Sequence, residues 1–262
     1  VTVATGGFAY YASRVGLPKI VSPIVIEGNG HTIRRDPANP VKFRLFTVGN
    51  FGDLTLSNVT LSGGYAYPFD DGTPFYQYLG DGGAVFNNGS LTLNSATLSG
   101  NQAHGDGGGI YNLDDVTLNN SVISGNQAGN EGGGIYHYSA SGAYATLTLN
   151  KSTVRDNTAG REGGGIFAYD GIASIDRSTI SGNTAGRSGG GVYITYESAQ
   201  LTMTNSTVSG NHAASGGGVT VNVGSVLPIL NTGNGITTVT ISSVGTGVGQ
   251  NRILFFDVHG PG

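Results

Sequence analysis

Four carboxylates stand directly in front of four successive glycine runs: Asp81, Asp106, Glu131 and Glu162. In the next two runs the same place is held by Ser188 and Ser215. Side chains that recur at one place in a repeat lie above one another when the repeats stack, about 4.8 Å apart across paired strands. At that spacing neighbouring carboxylates repel by about 1 kcal/mol in water and by several when partly buried. Such a column splays into solvent, gathers cations, or does chemistry. Hard oxygen ligands suit Ca²⁺, and these four residues are the candidate metal ligands. Adjacent carboxylates also suit acid–base work on sugars. Arg161 and Arg187, each one residue ahead of the column, place positive charge at one end of it.

A second group fits elimination chemistry on acidic sugars, which needs a base beside the substrate. Lys151 and Arg177 each precede a Ser-Thr pair in consecutive repeats, and Arg155 is close to the first. With Glu131 and Glu162 they form the candidate catalytic set. The competing reading makes Lys151 and Arg177 solvated corner residues.

Aromatic residues form the third group. Phe86, Tyr111, Tyr136, Phe167 and Tyr193 follow an aliphatic residue in successive repeats, with Tyr138 and Tyr169 two residues beyond and His137 beside them. Alternation sends the aliphatic residue inward, so these rings face outward and stack from coil to coil. Cross-strand aromatic pairs contribute about 0.2–1 kcal/mol each, enough to explain the column without a ligand. The functional reading is a polysaccharide-binding strip through Tyr111, Tyr136, Tyr138, Phe167, Tyr169 and Tyr193. Residues 64–81 add Tyr65, Tyr67, Phe69, Phe75, Tyr76 and Tyr78, with Asp70 and Asp71. This insertion is either a sugar-stacking lip, with Tyr76 and Tyr78 as contacts, or a satellite cluster pinning a long loop.

The elements that position these groups follow from the glycine runs themselves. Gly107, Gly132, Gly163, Gly189 and Gly216 open triplets, and Gly82-Gly83-Ala84 is a degenerate first copy. The gaps between first glycines are 25, 25, 31, 26 and 27 residues. That period marks a stacked repeat in which each repeat is one supersecondary unit. Within a unit, Leu91-Thr92-Leu93 or Leu201-Thr202-Met203 shows the alternation of a strand with one buried face. A Ser-Thr-Val-like strand follows, and the aliphatic-aromatic stretch after the glycines is the third. Asn101, Asn126, Asn157, Asn183 and Asn211 take one corner, where tolerance of positive φ suits them, and stack into an amide column. The expected fold is an all-β parallel β-helix with three short strands per coil, about eight to nine coils and a length of about 40 Å.

Ser99-Gly100-Asn101 followed by Gly107-Gly108-Gly109-Ile110-Tyr111 resembles the right-handed β-helix repeats of bacterial surface and secreted proteins, among them the polymorphic outer membrane proteins. Gly82-Gly83-Ala84-Val85-Phe86-Asn87-Asn88 comes closest to that family's motif, with a different Asn spacing. The stretch from Ile24 to Ile33 also resembles the first coil of pectate-lyase-like β-helices. The resemblance spans residues 20–222 and implies a right-handed coil and an extracellular or cell-surface location. It leaves activity open, because this superfold hosts lyases, hydrolases, adhesins and fibres.

Composition agrees with one solenoid domain over residues 1–262. Its expected parts are opening coils and a cap in 1–50, regular repeats in 51–222 with the 64–81 insertion, and degenerate coils in 223–262. Only 11% of residues are charged and 47 of 262 are Gly, as in a Ser/Thr/Asn-coated β-rod. The net charge of −4 without a basic run makes nucleic acid and anionic membrane poor partners. Cysteine is absent, which excludes disulfides and thiolate chemistry. No apolar stretch reaches membrane-spanning length. Val1 opens no recognisable signal peptide, so the chain reads as a mature form or an excised segment. Phe8–Ala12 is expected to cap one end of the rod. Ile253–Phe256 either closes the other or receives a second subunit end to end. Two functions follow: an adhesive or structural surface module needing no cofactor beyond an optional Ca²⁺, or a polysaccharide lyase or glycoside hydrolase working in a groove near residues 64–81.

Overall fold

The computed structural model describes residues 2–3, 15–68, 80–139, 145–196 and 199–222. Among them there is no helix, and the chain winds as a parallel β-solenoid. One coil shows the pattern. A long strand, Asp115–Asn119, is followed by a short strand, Val122–Ser124, a two-residue strand, Gln127–Ala128, and the aromatic strand, Ile135–Tyr138. Each pairs in parallel with its equivalent one coil away: Leu91↔Val116↔Leu147, Leu98↔Ile123↔Val154 and Ile110↔Ile135↔Ile166. Long and short strands share a 13-stranded sheet, aromatic strands a seven-stranded sheet and the two-residue strands a six-stranded sheet.

Two expectations are corrected. Each coil has four strands rather than three, because a Gln-Ala or Thr-Ala pair is too short to show alternation. The described chain makes about six turns rather than eight to nine. Among the described residues, Thr2–Val3 and the bridges Val15↔Arg44 and Ile20↔Val48 are what precedes the first coil at the N-terminal end. Residues 223–262, counted toward further coils, lie outside the described residues, as do the Phe8–Ala12 cap and the Ile253–Phe256 strand.

The core is built as the alternation requires. Leu91, Val116, Leu147, Ala173 and Leu201 stack inward with Leu93, Leu118, Leu149, Ile175 and Met203, while Thr92, Thr117, Thr148, Ser174 and Thr202 face out. From the short strands come Leu98, Ile123, Val154, Ile180 and Val208. Ile110, Ile135, Ile166 and Val192 arrive from the aromatic strands.

The Asn corner works differently from the expectation. Its positive-φ residues are the ones before the asparagines, such as Gly100, Gly125 and Asp156. The asparagines themselves are almost fully buried. Asn101 Nδ2 donates to Asn126 Oδ1 at 3.0 Å, Asn126 Nδ2 to Asn157 Oδ1 at 2.9 Å, and Asn157 Nδ2 to Asn183 Oδ1 at 2.9 Å. Each also donates to a short-strand carbonyl one coil back, Asn126 to Leu98 O at 3.1 Å. Here Asn is required for its amide, which satisfies buried backbone groups where the chain turns inward.

At the glycine corner the chain folds back on itself. The first glycine of each run has φ of 61–67°. A Cβ on Gly107 would lie 2.3 Å from Ile110 O, and one on Gly108 the same distance from Gly133 O of the next coil. The third place is less restricted and holds Ala84 in the first run.

Candidate functional site

The fold-back decides the fate of the aromatic column. Phe86, Tyr111, Tyr136, Phe167 and Tyr193 stack as expected, with centroids 5.3, 4.7, 5.0 and 5.4 Å apart and planes within 10° of parallel. They lie across the strand from the core, yet they are not an open strip. Phe86, Tyr111 and Phe167 are buried, Tyr111 only 4% exposed and Phe167 only 7%, and Tyr136 and Tyr193 are half-buried, because the acid-Gly turn of each coil packs over the ring that follows it. The contact is close: a Cβ on Gly163 would sit 2.7 Å from Phe167 Cβ. Stacked rings also spend their faces on one another, and sugar stacking needs a free face. Arg44, buried, closes the N-terminal end with its guanidinium carbon 4.9 Å from the Phe86 ring centre.

The carboxylate column runs beside this stack. Asp81 Oδ1 accepts the Asp106 backbone N–H at 2.8 Å, and Asp106 Oδ1 accepts that of Glu131 at 3.0 Å. Burial, the largest influence, pushes Asp81 up to about 6 against the pull of its backbone bond and Arg44. Burial and then the Asp106 side chain push Glu131 up to about 7. Asp106 and Glu162 are raised by burial as well. The Asp106 and Glu131 carboxyls sit close enough that each shifts the other. Arg161 reaches back to Glu131 at 3.6 Å and Arg187 to Glu162 at 3.8 Å. Asp81 and Asp106 thus each serve the coil that follows, while Glu131 and Glu162 are held by arginines of the following coil. Among the described residues no three His, Cys, Asp or Glu converge in a way that could hold a metal ion.

Lys151 and Arg177 are consecutive rungs of another corner, between long and short strands. They share positive φ there with Ser95, Asn120 and Asn205. Both are exposed, and Arg177 Nε donates to the adjacent Asp176 at 2.6 Å. In every coil the short strand, the Asn corner and the two-residue strand separate this corner from the carboxylates. The solenoid therefore keeps the candidate catalytic set at two different corners. A shallow depression of about 330 Å³ near the N-terminal end is lined by Asn29, Asn58, Thr60, Ser95 and Thr97, with no titratable side chain among them.

Tyr76, Tyr78, Phe69, Phe75, Asp70 and Asp71 lie outside the described residues. At the base of that insertion Tyr65 and Tyr67 meet edge-on at 5.8 Å and share Lys42 Nζ, 4.4 Å from each ring centre. That is the packing of a pinned loop base.

Tyr138 and Tyr169 hold a different surface. They sit two residues beyond the buried stack, partly exposed, and Tyr196 extends them into a row with centroids 5.4 and 4.8 Å apart and planes tilted by 39° and 33°. Tyr196 is 47% exposed. Sequence spacing misses it because it stands three residues after Tyr193, where Tyr138 stands two after Tyr136. Its φ of 91° brings it back into line. His137, expected beside the tyrosines, points inward and is fully buried. Its Nδ1 is 2.8 Å from Asn112 Nδ2, and Asn87 Nδ2 donates to Asn112 Oδ1 at 2.6 Å. Burial pushes its pKa down to about 4.

The family model of the Chlamydia polymorphic membrane protein repeat matches residues 95–113, 120–138 and 177–195. Each match runs from a short strand through the Asn and glycine corners to an aromatic strand, and together they cover under a quarter of the chain. No curated protein and no solved structure matches it. The chain is a β-helix repeat protein resembling the polymorphic outer membrane proteins. Among the described residues no helix is long and apolar enough to cross a membrane.

Proposed function

We propose that this chain is a single-domain, surface-exposed β-solenoid acting as an adhesive or structural module, with polysaccharide contacted through Tyr138, Tyr169 and Tyr196. The observation that carries the contact is the exposed tyrosine row on an otherwise Thr-, Ser- and Asn-coated rod. The repeat match supports the surface location. The enzymatic alternative loses support, because its acids and bases stand at separate corners and the acids bond along the column. Val21, Ile24, Val25 and Phe51 expose apolar surface on the first coil, which supports end-to-end contact with a second copy.

The test is a glycan-binding screen paired with product analysis on the same polysaccharides. Retention that falls in Tyr138→Ala and Tyr169→Ala, without new reducing or unsaturated ends, is the expected result. Depolymerisation abolished by Lys151→Ala or Glu131→Gln would restore the enzyme reading.

A further inference from the structure

Tyr138, Tyr169 and Tyr196 stand ring against ring at the surface, with centroids 5.4 and 4.8 Å apart. Rings at that separation touch, their nearest carbons about 3.5–4 Å apart. Strand register sets Tyr138 against Tyr169. Register does not place Tyr196, because the partner of Tyr169 in the next coil is Thr195. Tyr196 reaches the Tyr169 ring through its φ of 91°. Bulky residues rarely take that conformation, and here it holds a third phenol in contact with the second. The other tyrosine pairs among the described residues differ. Tyr111 and Tyr136 lie flat on one another at 4.7 Å, with Tyr111 buried. Tyr65 and Tyr67 meet edge-on, with Lys42 against both rings and His104 against Tyr67.

We infer that this row is a site of oxidative coupling, where Tyr169 joins Tyr196 or Tyr138 as dityrosine and staples neighbouring coils. The oxidant is of the peroxidase class, drawing on hydrogen peroxide. It removes one electron and one proton from each of two phenols. The two phenoxyl radicals join at ring carbons ortho to oxygen, and the hydrogen on each of those carbons moves to its phenol oxygen. One hydrogen peroxide takes up the two electrons and two protons and becomes two waters. Tyr169–Tyr196 is the favoured pair, since its rings are the nearer and Tyr196 is 47% exposed. The bond closes the chain from Tyr169 to Tyr196 and constrains the unfolded state as a disulfide does, in a sequence without cysteine. Coupling needs only ring contact and exposure, so it is independent of any glycan bound there.

The experiment treats the dilute protein with a haem peroxidase and hydrogen peroxide, then reads dityrosine fluorescence, cross-linked peptides by mass spectrometry, and melting temperature. The expected product migrates as a monomer and carries Tyr169 joined to Tyr196 or Tyr138 with loss of two hydrogens. Its melting temperature should rise by about 5–10 °C, the effect of a cross-link closing a loop of this size. Tyr169→Phe keeps the ring and its packing but lacks the phenol common to both pairs. It should melt like the parent before treatment, and treatment should give neither the row's cross-linked peptides nor the rise in melting temperature. Tyr196→Phe should shift coupling to Tyr138 and Tyr169. Dityrosine that maps to Tyr65–Tyr67, forms only between chains, or survives Tyr169→Phe undiminished would overturn the inference. So would the lack of any dityrosine while free tyrosine couples under the same conditions. Coupling within the row without a rise in melting temperature would overturn the staple.

Discussion

Tyr136 and Tyr138 stand two residues apart on one strand, on the same side of the sheet, yet they belong to different environments. Tyr136 is sandwiched between Tyr111 and Phe167 at 4.7 and 5.0 Å, beneath a fold-back of acid and glycine, and its phenol is pushed far up in pKa by burial and then by Asp106, Glu131 and Asp81. Tyr138 stands past the edge of that cover, in a tilted row that ends on the exposed Tyr196. The difference teaches that outward and exposed are separate properties in this solenoid. Sheet alternation sets the first, and the glycine corner sets the second.

The largest test of that contrast is truncation within the stack. Tyr111→Ala should destabilise the solenoid by about 3–5 kcal/mol, as for other large buried aromatics. Tyr169→Ala should cost under about 1 kcal/mol, the range of a surface aromatic pair. Chemical denaturation of the two variants measures both.

A parallel contrast separates two asparagine ladders. Asn126→Ala strips an acceptor from the backbone N–H and Nδ2 of Asn101 and a donor from Leu98 O, all buried. A loss of about 2–4 kcal/mol is expected. On the outer face Asn119 Nδ2 donates to Asn94 Oδ1 at 3.0 Å beside solvent, and Asn119→Ala should cost under about 0.5 kcal/mol.

Titration gives a smaller effect with two opposing signs. Asp81 and Glu131 have raised pKa values in the fold, about 6 and about 7, so the folded state binds their protons more tightly than the unfolded chain. Their ionisation destabilises the fold, and stability should rise as pH falls from about 8 toward their unfolded values near 4. His137 opposes them. Its folded value of about 4 lies below the unfolded value near 6.5, so its neutral form is preferred and stability is lost as pH falls through that window. The melting temperature should therefore climb from pH 8 to about 6.5 and then flatten or fall. In His137→Asn, which continues the Asn87–Asn112 column, the climb should extend to lower pH. The smallest effect is expected from a chelator. EDTA should leave the melting temperature unchanged, and a drop would return Asp81, Asp106, Glu131 and Glu162 to consideration as Ca²⁺ ligands.

Much of the frame was legible in the residues alone. The Leu-Thr-Leu alternation, the in-register aliphatic columns and the aromatic stacking follow from a period of about 25 residues and the two-residue pleat. What escaped was anything decided by how one turn covers another. Tyr111 reads as outward, and it is buried because Gly107 returns the chain over it. Asn101 and Asn94 look alike as repeated asparagines, yet one is inside and the other outside, according to which side of the strand each occupies. Gln127-Ala128 is too short to show alternation and is a strand only by virtue of its neighbours. Tyr196 breaks the spacing of its row by one residue and is restored by its backbone conformation. Lys151 and Glu131 recur with similar regularity, so periodicity alone does not reveal that they stand at different corners.

Nitration footprinting of the tyrosines by tetranitromethane, read residue by residue with mass spectrometry, tests the central claim most directly. The account predicts fast modification of Tyr138, Tyr169 and Tyr196, slowed when a bound glycan covers the row, with Tyr111 protected until the protein unfolds. Modification of Tyr111 at a rate matching Tyr196 in the folded protein would contradict it.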